Sequence, residues 1–121
     1  MKESAERYQR IASRLHAMIN CESSGNTEWY AKHEEAIHDI CQNEMPSGSG
    51  FDSGTSFDFD DSTPEKLIFK TSFHHMDDGG CYDGWTEHKV FITPSLEFGF
   101  NLRVTGKDRN GIKDYIAEMF S

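Results

Sequence analysis

The residues with the most chemistry to offer lie together at 73–88, FHHMDDGGCYDGWTEH, where three His, three Asp, one Glu and one Cys share sixteen positions. His74 and His75 are adjacent, so on a strand they point to opposite faces and cannot share a ligand. The strand pairing derived below instead puts His75 and His88 on one face as diagonal neighbours. With Asp77 or Asp78 from the turn they would form a two-His, one-carboxylate set of the kind that holds a divalent cation. No HxH or HExxH spacing accompanies them. The plainer reading makes these His hydrogen-bonded residues at a sheet end and gives the Asp residues to the turn. The leading expectation is therefore no cofactor, with a metal at His75, His88 and Asp77 as the alternative. Cys81 beside His75 or His88 would be a nucleophile with a base. A thiolate needs positive surroundings, whereas Asp77, Asp78 and Asp83 flank this one, which favours an inert turn cysteine.

A second set of candidates is acidic. Asp and Glu number 21 against 12 Lys and Arg, for a net charge of −9. The excess is concentrated, with net −2 over 1–43, −7 over 44–83 and 0 over 84–121. Asp52, Asp58, Asp60 and Asp61 belong to the acidic middle, and Asp58 and Asp60 are expected to face water from a short edge strand. Such carboxylates can stand in for phosphates on a basic partner, through complementarity and steering; the alternative is that acidity only maintains solubility. Asp58, Asp60 and Asp61 lack the Gly and closing Glu of a calcium loop. Gly48, Gly50 and Gly54 suggest a phosphate cradle, but the GK[ST] ending is missing and Asp52 would repel phosphate.

A smaller basic set, Lys70, Lys89 and Arg103, is expected on the outer sheet face with Phe91 and His74. Strand faces bearing aromatics and bases can stack single-stranded nucleic acid. Three bases in a chain of net charge −9 are few, so the expectation is a solvated face, or one covered by the N-terminal helices, and no direct nucleic-acid binding at physiological salt.

The elements that must position these residues follow from periodicity. Residues 5–20 read as a helix, with Tyr8, Ile11, Ala12, Leu15, Met18 and Ile19 at three and four spacing and Ser4 as N-cap. A second helix runs from about Glu28 to Asn43, capped by Asn26 or Thr27, with the stripe Trp29, His33, Ala36, Ile37, Ile40 and Cys41; Trp29 is expected in the core. The pair forms a helical hairpin. Residues 46–56 hold seven Ser or Gly among eleven and read as a loop. In FDFDD, Phe57 and Phe59 suggest a short extra edge strand.

From Glu65 the period becomes two. Strands are expected over about 66–75, 85–93 and 98–105, joined as an antiparallel meander. Pairing Phe73 with His88 and Ile92 with Phe100 gathers Leu67, Phe69, Phe73, Val90, Ile92, Phe98, Phe100, Leu102 and Val104 on one apolar face. A last helix, capped by Asp108 or Asn110, packs Ile112, Tyr115, Ile116 and Met119 on that sheet. The expected fold is α+β in one domain of 121 residues: a helical hairpin over 1–43, an acidic Ser/Gly-rich loop over 44–65, and a three-stranded sheet plus helix over 66–121. Its last three strands and helix resemble a double-stranded-RNA-binding domain in topology alone.

No apolar run exceeds two or three residues, which excludes a membrane-spanning helix, and MKESAERYQR has no apolar stretch of a signal peptide. Cys21, Cys41 and Cys81 are odd in number and widely spaced, as expected of free thiols in a reducing cytoplasm. The motifs PSGSGFDSGT, FHHMDDGG, YDGWTEH and TGKDRNGIKDYI resemble those of small phage- and prophage-encoded bacterial proteins with no settled activity, over about residues 28–120. That resemblance implies a bacterial host cytoplasm and an accessory role during infection or element maintenance, and it supplies no catalytic residues. The expected function is a small acidic, non-enzymatic binding protein. Its partner would be a protein, such as a basic host or nucleic-acid-processing protein that it inhibits as a nucleic-acid mimic. The alternative is a metal- or ligand-binding domain, or a small hydrolase, built on the His/Asp cluster.

Overall fold

The computed structural model describes residues 2–45, 55–95 and 99–121. Asp52, the Ser/Gly-rich stretch at 46–54 and Phe98 lie outside the described residues. Three helices and four strands follow in the order α1 (Lys2–Ser24), α2 (Thr27–Asn43), β1 (Thr55–Phe57), β2 (Leu67–Met76), β3 (Tyr82–Ser95), β4 (Gly99–Val104) and α3 (Ile112–Phe120). The strands form one antiparallel sheet in sequence order. The class is α+β as expected, with the anticipated three-stranded meander extended to four strands. The fourth is the short edge strand β1, which ends at Phe57 because Asp58 opens a turn.

In α1 the stripe Tyr8, Ile11, Leu15 and Met18 is buried. The helix begins before Ser4, so Ser4 is no cap; its hydroxyl donates to the Ser121 carbonyl at 3.0 Å. The Tyr8 hydroxyl donates to the Phe120 carbonyl, which ties the start of the chain to its end. Asn26 does cap α2, its side chain accepting from the Trp29 main-chain N–H at 3.2 Å. Trp29 is half exposed instead of core. It stands in the first turn of α2, while the buried positions Ile37, Ile40 and Cys41 lie in the second half of the helix. Burial in apolar surroundings pushes the Cys41 thiol up to about 12.

All three helices pack on one sheet face, around Phe57, Leu67, Phe69, Phe73, Val90 and Ile92. Phe69 is central, with ring centroids 5.3 Å from Phe57, 5.8 Å from Tyr8 and 5.9 Å from Phe120. Ile116 and Phe120 of α3 are fully buried, whereas Tyr115 only lays an exposed ring edge-on to Phe73. Gly111, in the left-handed region, is the N-cap of α3. Asp108 nonetheless reaches the first turn, accepting from the Lys113 N–H at 3.0 Å.

The register differs from expectation by two residues in both pairs. Leu67 faces Ile92, Phe69 faces Val90, Phe73 faces Thr86, and Ile92 faces Leu102. A shift of two conserves the face of every side chain, so the apolar face is the one anticipated. The reason lies at the turn, which closes over Asp77–Cys81 and lets β3 start at Tyr82, and in a bulge between His74 and Met76. Phe100 consequently faces Pro94, and Leu102 takes the place opposite Ile92. Phe100 is therefore partly buried instead of nearly enclosed, edge-on to Tyr8 at 4.8 Å. Among the described residues no helix is long and apolar enough to cross a membrane.

Candidate functional site

Strand alternation carries His75 inward with Phe73 on the helix-covered face, where His88 and Thr86 of β3 also point. His75 Nε2 lies 2.8 Å and His88 Nε2 2.7 Å from the same Thr86 hydroxyl, and His88 Nδ1 lies 3.0 Å from the Thr105 carbonyl. A carbonyl only accepts, so His88 Nδ1 carries the hydrogen, and in that tautomer Nε2 accepts from Thr86. The Thr86 oxygen then accepts from His75 Nε2–H. The result is a directed chain of three hydrogen bonds from His75 to Thr105, buried and mutually satisfied.

Of the anticipated His75, His88 and Asp77 set, the structure joins the two His and leaves Asp77 apart. Asp77 Oδ1 accepts from the Gly79 and Cys81 N–H groups at 2.9 Å each, which is turn chemistry. Among the described residues no three or more His, Cys, Asp or Glu are placed to hold a metal ion. Thr86, the hub, was not anticipated, although strand alternation puts it on the face of His88 two residues away.

Outside this chain Arg109, just before α3, donates to the Asp83 carbonyl and carboxylate. His75 is held below its ordinary value, first by burial and then by the positive field of Arg109 and by His88, with Asp83 opposing and His74 adding slightly. Below about pH 6.5 the unfolded chain then binds a proton at His75 before the folded chain does. Folding stability should fall between about pH 6.5 and the lower folded value, and be insensitive to this residue above it. Urea unfolding of wild type and His75→Gln across about pH 5.5 to 7.5 checks this: the wild-type curve should slope more steeply on the acid side. Parallel curves would contradict it.

The acidic candidates divide by role. Asp58 is 5% exposed and does not face water. Its Oδ1 accepts from the N–H groups of Asp60 and Asp61 at 3.1 Å each, and its Oδ2 lies 3.7 Å from Lys70 Nζ. Asp58 thus shapes the turn that carries Asp60 and Asp61, both exposed. Asp58→Ala should cost about 1–3 kcal/mol, because two N–H groups and Lys70 lose a partner. Asp58→Asn, which keeps the acceptor, should cost less, and neutralising Asp60 and Asp61 should cost nothing measurable by urea denaturation. Equal effects for all three would overturn the assignment.

Phe59 of this turn meets His38 of α2 at 5.0 Å, which docks the acidic turn on the helical hairpin. Tyr30 of α2 is pushed up by burial and then by the fields of Glu34, Glu22 and Asp60. Near the hairpin turn Trp29 and Ile19 are 50% and 45% exposed, and Lys32 Nζ lies 4.6 Å from the Trp29 ring centroid. No protein-family model, curated protein or solved structure matches the chain.

Proposed function

We propose that the chain is a small non-enzymatic binding protein, an accessory factor of phage or mobile-element origin, that docks a basic protein in the bacterial cytoplasm. The docking surface is the turn end of the α1–α2 hairpin with the neighbouring 58–61 turn. The observation that carries the reading is the pairing of exposed apolar anchors with neighbouring acids: Trp29 and Ile19 stand open, and Phe59 against His38 brings the turn bearing exposed Asp60 and Asp61 onto α2. Interfaces place Trp and Tyr at their centres and charge at their rims. The acids supply steering toward a positive patch. Asp58 removes the objection that loop acids are too mobile to imitate a phosphate array, since it pins the backbone under Asp60 and Asp61.

A basic patch that evolved for nucleic acid is the natural complement, so the partner is a nucleic-acid-processing protein of the host. The test is competition. Proteins retained from bacterial lysate by the immobilised chain should be released by excess duplex DNA, because DNA and the acidic rim would occupy the same basic site. Retention unaffected by DNA would refute mimicry.

A further inference from the structure

We propose that the sheet face opposite the helices binds one phosphate group between Lys70 and Lys89, carried by a small hydroxylated molecule of the sugar-phosphate class. This site is independent of the protein-docking surface above. Lys70 and Lys89 are direct cross-strand partners, so their side chains rise side by side from β2 and β3. Like charges in that relation destabilise a sheet, and a chain with 21 acids had ample means to neutralise them. Instead Lys89 makes no ion pair among the described residues. Lys70 has only Asp58, at 3.7 Å, with its own side chain 54% exposed. An oxyanion between the two ammonium groups relieves the repulsion.

The surroundings are built for a small ligand. The lysines stand in a groove of about 670 Å³, together with Ser56, Ser72, Thr105 and Glu87. Ligand pockets run from ~300 to ~1,000 Å³. Ser56 is the cross-strand partner of Lys70, and Ser72 that of Glu87. The exposed Ser56 hydroxyl adds a donor to the two ammonium groups, which suits a tetrahedral oxyanion, whose several acceptors need several donors. Glu87 lies on the same face two residues along β3, where a carboxylate repels a second anion and accepts from ligand hydroxyls. It therefore selects one phosphate joined to a hydroxylated body and rejects a nucleic-acid strand, whose next phosphates would meet Glu87 and the net charge of −9.

The test uses purified full-length protein and no partner, so it fails or succeeds apart from the docking proposal. Backbone amide NMR shifts are followed on titration with ribose 5-phosphate, ribose, and a single-stranded oligothymidylate. Ribose 5-phosphate should give saturable shifts at residues 70–72 and 87–89, with a dissociation constant of about 1 mM or below, and ribose should give none. Lys70→Gln and Lys89→Gln should each weaken binding about tenfold; the unfolding midpoint of Lys89→Gln should hold or rise as the like-charge pair is removed, whereas Lys70→Gln also takes the ion-pair partner from buried Asp58. No saturable shift by about 10 mM ribose 5-phosphate would overturn the proposal. So would undiminished binding in the Lys70→Gln/Lys89→Gln variant, or tighter binding of the oligothymidylate.

Discussion

Truncating Phe69 to alanine should cost ~3–5 kcal/mol, the penalty of a large aromatic removed from a close-packed site. Phe69 is fully buried and touches aromatic rings from β1, α1 and α3, so no single neighbour can move in to refill the space. The loss is a large share of the ~5–15 kcal/mol expected for a domain of this kind. Phe100→Ala is the contrasting case. Phe100 is partly buried on the edge strand β4 and rests mainly on Tyr8, so its removal should cost clearly less. Urea denaturation of the two variants measures both. Equal losses, or a Phe69 loss below ~1 kcal/mol, would mean that the core is centred elsewhere.

Gly106→Ala should be nearly as damaging, for a different reason. Gly106 has φ +102, and a Cβ there would come 2.5 Å from the Glu87 carbonyl oxygen and 2.6 Å from His88 Nδ1. Neither neighbour is free to yield, since one is backbone of β3 and the other is bonded to the Thr105 carbonyl. Strain and collision together should cost about 3 kcal/mol or more. They should also displace His88 from Thr86, visible as shifted ring signals of His75 and His88 in NMR. Gly111→Ala separates the two causes: φ is +76 there but nothing lies within 4 Å of the added Cβ, so it should show the backbone penalty alone, about 1 kcal/mol. Equal effects at both positions would show that the collision at His88 is not real.

Much of this architecture was legible in the sequence because period-two and period-3.6 patterns report which face is buried. Tyr8, Ile11, Leu15 and Met18, and the apolar face from Leu67 to Val104, follow from spacing alone. Spacing fixes the face without fixing the partner, so a register shifted by two was invisible: it moves Phe100 from the centre to the margin and leaves every side chain on its face. The core expectation for Trp29 failed for a related reason. A helical stripe does not reveal where the helix overhangs what it covers, nor that the C-terminal turn of α3 tucks under Phe69.

The candidate sites were legible in part. Alternation placed His75 and His88 on one face, and the turn role of Asp77 is the plainer of the two readings of the 73–88 cluster. The shared Thr86 hydroxyl depends on the register that sets Phe73 opposite Thr86, which periodicity alone does not fix. Asp58 looked like its neighbours because sequence shows charge but not direction. Only the turn geometry distinguishes an acid that holds two backbone N–H groups from the two acids it positions.

The most direct test of the account is capture of proteins from bacterial lysate by immobilised wild type and by the Trp29→Ala/Asp60→Asn/Asp61→Asn variant, at low and at high salt. Asp58 is left in place so that the turn keeps its shape, and circular dichroism confirms that the variant is folded. The account predicts a basic protein retained by wild type at low salt, lost as salt rises, and not retained by the variant. Recovery of the same proteins by both forms at both salts would contradict it.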